Sequence, residues 1–348
     1  MNFLPIGYCH HLYHNVDMSD PKIVVDALGG DKAPFEVVKG AIEASRELGI
    51  EVILTGPKST VEAELVKHKM NGAKIKVVDT PSVVGMTEHP AQALRQKQDS
   101  SIGIGINMVK SGEADVFVSA GNSGAVGAFA LMNLGMMPEV ERPALALLFR
   151  GSKGVGLFLD SGATSDCKPD YYVDWAIVGS RYMSRVMGIT NPRVALLSIG
   201  EEDGKGTREV IEANKLLREE KSINFIGNIE GKDMLKGMAD VIVTDGFTGN
   251  VVLKFTEGFA EALFGSIRQA LVQGIKTKIG ALLVKPSLVK VAEHWDYRRY
   301  GGALLLGVKG NVIICHGRSD SLAIKSAIVM AKRTAEGKMF ASNLVETG

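Results

Sequence analysis

The Asp240–Gly258 stretch constrains the fold of this chain most strongly, because a buried strand, a glycine loop and a long helix follow one another without interruption. Val241–Val243 is a β-branched run, which is typical of a parallel strand covered on both faces. In an open parallel sheet, ligands bind at the carboxyl ends of the strands, where Asp245, Thr248 and Asn250 would converge with several free backbone N–H groups. The alternative is an ordinary strand-to-helix turn in which Asp245 only caps the helix. Both interpretations fit the stretch alone.

The same pattern, a strand followed by a loop of glycine and short polar residues, recurs along the chain. Such loops begin near residues 26, 119, 160, 198 and 244. Helical patterns lie between the strands, for example over residues 34–48 and 207–219. This alternation predicts a mostly parallel sheet with helices on both faces. We therefore expect a three-layer α/β/α fold in which the five loops form one shared polar rim.

The charge and cysteine content narrow the possible partners. Lys and Arg number 40 against 39 Asp and Glu, so the chain lacks the basic surplus of a nucleic-acid-binding protein and no nucleic acid partner is expected. Three cysteines share no metal-ligand spacing and argue against a disulfide framework, which fits a reducing cytoplasm. No apolar run reaches the roughly 18 residues expected of a membrane span.

Residues 1–20 differ in composition from the rest, and we interpret them as an N-terminal extension that is disordered or derived from an upstream start or an expression tail. They contain Cys9, His10 and His14, which could bind a metal, but the extension is the preferred interpretation and no metal site is predicted. Residues 21–348 are expected to form one domain.

Several common chemistries are excluded by motifs that the loops lack. The dinucleotide fingerprint G-x-G-x-x-G occurs nowhere. Gly200–Thr207 resembles a P-loop superficially, but its spacing is one residue short and three acidic residues would repel a polyphosphate. No G-x-S-x-G nucleophile elbow is present. Cys315 and His316 are adjacent on a strand and would point to opposite faces, which weakens them as a nucleophile and base.

The chemistry that remains is one in which the protein positions an anion and stabilises developing charge. Attack of phosphate on an activated acyl group is such a reaction, and its nucleophile arrives with the substrate. Lys205 could offset the charge of phosphate, and Asn250 with loop N–H groups could stabilise a tetrahedral oxyanion. Lys205 and Asn250 are therefore the predicted catalytic residues.

A series of ordered motifs over residues 22–340 resembles the bacterial phosphate acyltransferases. The motifs are Asp26-Ala-Leu-Gly-Gly-Asp31, Thr87-Glu-His-Pro90, Ser119-Ala-Gly-Asn-Ser-Gly-Ala125, Arg142-Pro-Ala-Leu145, Leu159-Asp-Ser-Gly-Ala163, Asp166-Cys-Lys-Pro169, Phe225-Ile-Gly-Asn-Ile-Glu-Gly231, Thr244-Asp-Gly-Phe-Thr-Gly-Asn250, Tyr300-Gly-Gly-Ala303 and His316-Gly317. The resemblance implies conversion of acyl-acyl-carrier-protein and inorganic phosphate into acyl phosphate. It also implies a fold similar to isopropylmalate dehydrogenases and phosphotransacetylases, a homodimer, and no metal or organic cofactor.

Within these motifs, the loop residues expected to bind substrate or phosphate are Asp26, Gly29, Gly30, Asp31, His89, Gly121, Asn122, Ser123, Gly124, Asn228, Asp245, Thr248, Gly249 and His316. Gly121 and Gly249 are expected to let backbone N–H groups approach phosphate closely. The alternative for both glycines is that they only serve turns.

The resemblance further implies that the acyl phosphate passes to a membrane glycerol-3-phosphate acyltransferase. Two alternatives are a phosphotransacetylase that uses coenzyme A thioesters and a non-catalytic scaffold for lipid enzymes. The presence of Lys205 and Asn250 disfavours the scaffold. Arg298 and Arg299 are candidates to meet an acidic carrier protein, although adjacent arginines are as often a solvated surface.

A helical hairpin is predicted over about residues 259–297. Phe259, Leu263 and Ile267 begin an apolar stripe with a four-residue period, which we expect to pack on a second copy of the chain. Pro286 predicts a turn near residue 285, because proline disrupts a helix interior. Apolar residues interleaved with lysines predict contact with an anionic membrane surface through Ile279, Leu282, Leu283 and Leu288. The protein is accordingly expected to be cytoplasmic and peripherally membrane-associated.

Overall fold

The computed structural model of this chain describes residues 20–337 and 339, so the predicted metal-ligand candidates Cys9, His10 and His14 lie outside the described residues. The strands are β1 (Ile23–Asp26), β2 (Glu51–Gly56), β3 (Lys74–Asp79), β4 (Val116–Ser119), β5 (Ala144–Gly151), β6 (Gly154–Leu159), β7 (Arg193–Leu197), β8 (Asn224–Ile229), β9 (Val241–Val243), β10 (Ala303–Leu306) and β11 (Asn311–Ile314). The α-helices are α1 (Phe35–Leu48), α2 (Lys58–Leu65), α3 (Pro90–Gln96), α4 (Ser101–Ser111), α5 (Ser123–Asn133), α6 (Pro169–Arg185), α7 (Arg208–Glu219), α8 (Gly246–Val272), α9 (Ile275–Trp295) and α10 (Ser321–Glu336).

All eleven strands belong to one sheet, whose order is β3-β2-β1-β4-β11-β10-β5-β6-β9-β7-β8. Neighbouring strands are parallel except for the pairs β11–β10, β10–β5 and β5–β6. Helices cover both faces, which confirms the predicted three-layer fold with a mostly parallel sheet. We call β1–β4 and β11 with their helices the first lobe, and β6–β9 with their helices the second lobe.

The three antiparallel pairings reverse the direction of the strands between the two lobes. The carboxyl ends of β1, β4 and β11 therefore lie at one edge of the sheet, and those of β6, β7, β8 and β9 lie at the opposite edge. The prediction of one shared polar rim is wrong for this reason. Local strand patterns carry no information on the direction in which distant strands pair.

The packing of the first lobe explains why Ile23, Val24 and Val25 of β1 are all apolar. Val24 packs in a cluster that includes Phe129 of α5, whereas Val25 packs on the other face in a cluster that includes Ile324 of α10. Both faces of the strand are covered, as expected of a central parallel strand. The C-terminal helix α10 lies against α1 so closely that a Cβ on Gly40 would come 2.8 Å from the Cβ of Ile324.

The helical hairpin is present, but its turn does not lie near residue 285. Helix α8 ends at Val272 and α9 begins at Ile275, so the turn is at Gln273–Gly274. The N–H of Gly274 donates to Oγ1 of Thr277 (2.9 Å), which caps the new helix. Pro286 lies inside α9. The glycine at 274 sets the turn instead, and α9 continues through Pro286 although a helix-interior proline costs about 3 kcal/mol.

In α9 the apolar side chains divide between two faces of the helix. Leu282 and Leu283 are 72% and 77% exposed, and Ile275 and Ile279 are exposed on the same side. Leu288 is only half-exposed. Among the described residues, none of the helices combines the length and apolar content needed to span a membrane.

Candidate active site

The strand directions place the predicted site residues in two groups. The first loop cluster consists of the loops after β1, β4 and β11, the first turn of α5, and residues 85–90. The second loop cluster consists of the loops after β6, β7 and β9, the start of α8, and the end of β8. The first contains Asp26, Gly29, Gly30, Asp31, His89, Gly121, Asn122, Ser123, Gly124 and His316; the second contains Lys205, Asn228, Asp245, Thr248, Gly249 and Asn250.

Asp26 is enclosed beneath the first loop cluster. Oγ of Ser119 donates to Oδ2 of Asp26 (2.8 Å), and the N–H of Leu28 donates to Oδ1 (3.2 Å). The N–H of Gly121 donates in turn to Oγ of Ser119 (3.0 Å). Burial raises the pKa of Asp26 above its ordinary value. Its carboxyl group therefore ties two loops together from below instead of facing a substrate.

The three loops of this cluster approach one another at their glycines. A Cβ on Gly29 would lie 2.6 Å from the nitrogen of Gly121, so no side chain fits there. Gly30 has a φ of 105°, a conformation that favours glycine. The N–H of Asp31 donates to the carbonyl of Gly317 (2.8 Å), which joins the loop after β11 to the loop after β1.

Asn122 caps α5 and fastens residues 85–90 to that helix. Its Oδ1 accepts the N–H of Ala125 (3.1 Å), and its Nδ2 donates to three carbonyls of the 85–90 segment at 2.8–3.3 Å. Ser123 and Gly124 follow and are exposed at the helix N-terminus. Free N–H groups and the helix dipole favour an anion at such a position.

The two predicted histidines are both exposed at the first loop cluster. His89 directly precedes α3. Nδ1 of His316 accepts the N–H of Arg318 (3.2 Å). Partial burial, with the nearby positive charges of Lys254 and Arg318, lowers the pKa of His316. Because Nδ1 accepts a hydrogen bond, the hydrogen of a neutral His316 imidazole lies on Nε2.

Asp160 organises the second loop cluster from within. Its buried carboxylate accepts the N–H groups of Leu145 and of residues 162–164 at 2.7–3.0 Å. Burial raises the pKa of this carboxyl group. The loop after β6 is thus wrapped around one side chain, and the start of β5 is fixed to it.

The first turn of α8 is closed by its own cap. Oδ1 of Asp245 accepts the N–H of Thr248 (2.7 Å), so the predicted N-cap is present. The N–H of Gly246 donates to the carbonyl of Thr164 (2.9 Å), and that of Gly249 donates to the carbonyl of Asp245 (2.9 Å). The prediction of several free N–H groups here is wrong for these three donors, because the cap and the neighbouring loop already satisfy them.

Asn250 and Lys205 lie at the same edge of the sheet, since β7 and β9 are adjacent parallel strands. Both side chains are exposed. A Cβ on Gly162 would lie 3.4 Å from Cβ of Asn250, so the asparagine borders the loop after β6. Adjacent strands are about 4.8 Å apart. The structure therefore places Lys205, in the loop after β7, and Asn250, near the start of α8, beyond the carboxyl ends of adjacent strands.

Asn228 is buried at the end of β8, and both the oxygen and the nitrogen of its side-chain amide form hydrogen bonds within the protein. Its Nδ2 donates to the carbonyl of Glu202 (2.9 Å), and its Oδ1 accepts from Nδ2 of Asn214 (2.8 Å). Asn228 therefore supports the Lys205 loop, and its amide is not directed at a ligand.

Helix α8 connects the two loop clusters. It begins in the second cluster, and further along it Glu257 and Glu261 pair with Arg318 of the first cluster at 3.6 and 3.3 Å. Glu257 is seven residues beyond Asn250, a rise of about 10 Å along the helix. Both clusters therefore border the N-terminal half of one helix.

The two described cysteines are not candidate nucleophiles. Burial raises the pKa of Cys167 to about 11 and that of Cys315 to about 12. Only the thiolate is strongly nucleophilic, so both side chains remain inert thiols at neutral pH.

Sequence reasoning missed several residues that shape this site. The sequence could have indicated Asp160 as a site residue, because it follows a buried strand and precedes a glycine loop, as Asp26 does. Asn214 and Arg218 of α7 had no such motif, and their bonds to Asn228 and Asp203 join different elements of the structure. Arg318 follows the His316-Gly317 motif, but its acidic partners on α8 could not be inferred.

The mostly parallel sheet with helices on both faces has the fold of solved phosphotransacetylases. The EutD phosphotransacetylase from Staphylococcus aureus superimposes with a TM-score of 0.60 at 17% identity, covering 91% of this chain and 94% of that chain. This likeness confirms the predicted fold class and concerns the fold alone.

The chain belongs to the fatty acid synthesis protein family, whose sequence model matches residues 21–341. It is 48% identical over 315 residues to the phosphate acyltransferase of Halothermothrix orenii, covering 90% of this chain and 94% of the relative. It is 44% identical over 321 residues to that of Nostoc punctiforme, covering 91% and 94%. These similarities confirm the resemblance drawn from the ordered motifs.

Proposed function

We propose that this acyltransferase moves a fatty acyl group from acyl-acyl-carrier-protein to inorganic phosphate, with Lys205 and Asn250 as its catalytic residues. The observation that carries this proposal is the placement of an exposed ammonium group, in the loop after β7, and an exposed amide, near the start of α8, beyond the carboxyl ends of two adjacent parallel strands. The high pKa of the described cysteine thiols agrees with a reaction in which the substrate supplies the nucleophile.

In the proposed reaction, a phosphate oxygen attacks the thioester carbonyl carbon. A C–O bond forms, and the carbonyl electrons move to oxygen to give a tetrahedral oxyanion. Nδ2 of Asn250 donates to that oxyanion, and the ammonium group of Lys205 offsets the phosphate charge. The oxyanion then collapses, the C–S bond breaks, and the thiolate leaves with the electron pair and takes up a proton. Acyl phosphate remains, and the reverse reaction follows the same path.

The exposed groups of the first loop cluster are assigned to the remainder of the acyl donor or to a second anion contact. They include the N–H groups at the start of α5, beside Ser123 and Gly124, and the side chains of Asp31, His89 and His316. Asp26, Asn122 and the close-packed glycines hold these groups in place.

The test of this function is phosphate-dependent release of free thiol from palmitoyl-carrier-protein, with acyl phosphate trapped by hydroxylamine. We expect both products with the carrier-protein substrate and little reaction with acetyl-coenzyme A. Preference for acetyl-coenzyme A would support the phosphotransacetylase alternative, and no acyl phosphate from either donor would support the scaffold.

We further propose a homodimer in which the exposed apolar stripe of α8 packs on a second copy. Phe255 and Phe259 stack with their ring centroids 6.0 Å apart, and Leu263 continues the stripe. An exposed row of this size on one helix face is typical of a protein–protein contact. Arg298 and Arg299, the candidates to meet an acidic carrier protein, each pair with acidic side chains of this chain.

The outer face of α9 is proposed to contact an anionic membrane, where a glycerol-3-phosphate acyltransferase would consume the acyl phosphate. The double variant Leu282→Glu/Leu283→Glu is expected to lose cosedimentation with anionic vesicles. Two apolar side chains that would enter the membrane interface are replaced by carboxylates, which the anionic headgroups repel.

The matched control for this prediction is Val66→Glu/Met132→Glu, which adds the same charge at two side chains that are 83% and 69% exposed elsewhere. We expect it to bind vesicles like the wild type. Equal partitioning of all three dimeric proteins would exclude α9 as the membrane contact.

A further inference from the structure

The loop between β7 and α7 is held at its middle by side chains of α7 and β8. Nε of Arg218 donates to Oδ1 of Asn214 (3.2 Å), and Nδ2 of Asn214 donates to Oδ1 of Asn228 (2.8 Å). Nδ2 of Asn228 then donates to the carbonyl of Glu202 (2.9 Å). Arg218 Nη2 also donates to the carboxylate of Asp203. We call this set of hydrogen bonds the α7 network. Its bonds reach Glu202 and Asp203, two successive residues of the loop between β7 and α7.

The α7 network has one direction, since each amide donates through nitrogen and accepts through oxygen. Asn214 and Asn228 are 1% and 7% exposed, so a lost bond would leave a buried polar group unpaired. The guanidinium group of Arg218 starts the network, and its Cζ lies 5.7 Å from the ring centroid of Phe225.

The network reaches Lys205 through the backbone. The carbonyl of Glu202 accepts both Nδ2 of Asn228 and the N–H of Lys205, the latter at 3.0 Å. The aliphatic stem of Lys205 lies against Gly200, where a Cβ would come 2.9 Å from its Cγ. We propose that Arg218 is a positioning residue for the Lys205 ammonium group, an inference that rests on the proposed function.

The geometry requires arginine at this position. One planar guanidinium group serves Asn214 through Nε and Asp203 through Nη2, and a lysine ammonium group cannot reproduce that fork. Arg218→Lys, which keeps the charge, should therefore restore little of the function that Arg218→Met loses.

Arg218→Met is expected to raise the KM for phosphate on the order of ten- to a hundredfold, because the ammonium group is displaced from its place. The KM for the acyl donor should change by less than about twofold, since the second contact, Asn250, is untouched. Hydrogen exchange of the amides of residues 199–206 should become faster. In a Lys205→Met background, Arg218→Met should produce no further rise in the phosphate KM.

The control is Lys215→Met on the same helix, which loses an exposed ion pair with Glu212 (2.9 Å) without touching the loop. Loop exchange in Arg218→Met equal to that in Lys215→Met would overturn the positioning role, as would additive effects of Arg218→Met and Lys205→Met. A normal phosphate KM in Lys205→Met would instead overturn the role proposed for Lys205 at phosphate, and exchange would still report whether Arg218 anchors the loop.

Discussion

Alanine at Lys205 or Asn250 is expected to leave the fold intact and to reduce kcat on the order of a hundred- to a thousandfold, the usual cost of removing one oxyanion donor or its charge equivalent. Both side chains are exposed, so truncation opens no cavity in the core. Lys205→Ala should also raise the KM for phosphate, whereas Asn250→Ala should leave it nearly unchanged. Steady-state kinetics with separately varied phosphate and acyl-carrier-protein measure both effects.

The controls are Lys215→Ala and Asn107→Ala, which remove exposed side chains of the same types from other parts of the surface. Their kcat should match the wild type. Near-normal turnover in a folded Asn250→Ala protein would remove this residue from the mechanism, and an unchanged phosphate KM in Lys205→Ala would separate the lysine from phosphate.

Gly249→Ala is expected to destabilise the fold by about 3 kcal/mol or more, because the added methyl group meets backbone that cannot move aside. A Cβ at this position would lie 1.8 Å from the carbonyl oxygen of Asp160. That oxygen belongs to the loop that is wrapped around the Asp160 carboxylate, so both loops would have to shift. Chemical denaturation measures the free energy of unfolding.

Gly258→Ala, on the same helix, is the matched control because its Cβ would meet nothing within 4 Å. It should stabilise the protein by about 0.5–1 kcal/mol, the usual gain for alanine over glycine in a helix. A small and similar effect of both substitutions would show that the loops adapt to a methyl group. The prediction that the N–H of Gly249 approaches phosphate is wrong, because this N–H already donates to the carbonyl of Asp245. The space beside the Cα of Gly249 is filled by the backbone of Asp160.

Local sequence patterns predicted the bounds of individual strands and helices closely. Val241–Val243 is a strand with the predicted bounds, and the helix predicted over 207–219 begins one residue later. These predictions succeed because β-branched runs, amphipathic periods and glycine breaks act over a few residues. The direction of strand pairing in the middle of the sheet depends on contacts between distant segments, so the two-edge arrangement could not be predicted.

The site was predictable at the level of loops and only partly at the level of roles. Exposed Lys205 and Asn250 fit their predicted positions, and their catalytic roles remain predictions. Asp26 and Asn228 have the residue types of ligand contacts, but burial turns both into supports. A sequence does not distinguish a polar side chain that faces a cleft from one that holds the loop behind it, because both require hydrogen-bonding atoms next to glycine.

The position of β11 beside β4 bears on the order in which the two lobes can fold during synthesis. β11 lies beside β4, and α10 packs on α1, although almost the whole second lobe separates these segments along the chain. The second lobe is made of consecutive residues and can assemble while the chain is still growing. The first lobe must wait until the last helix leaves the ribosome, with β4 exposing an unpaired edge throughout. We therefore expect the first lobe of a nascent chain to be more prone to aggregation than the second until β11 and α10 have been made.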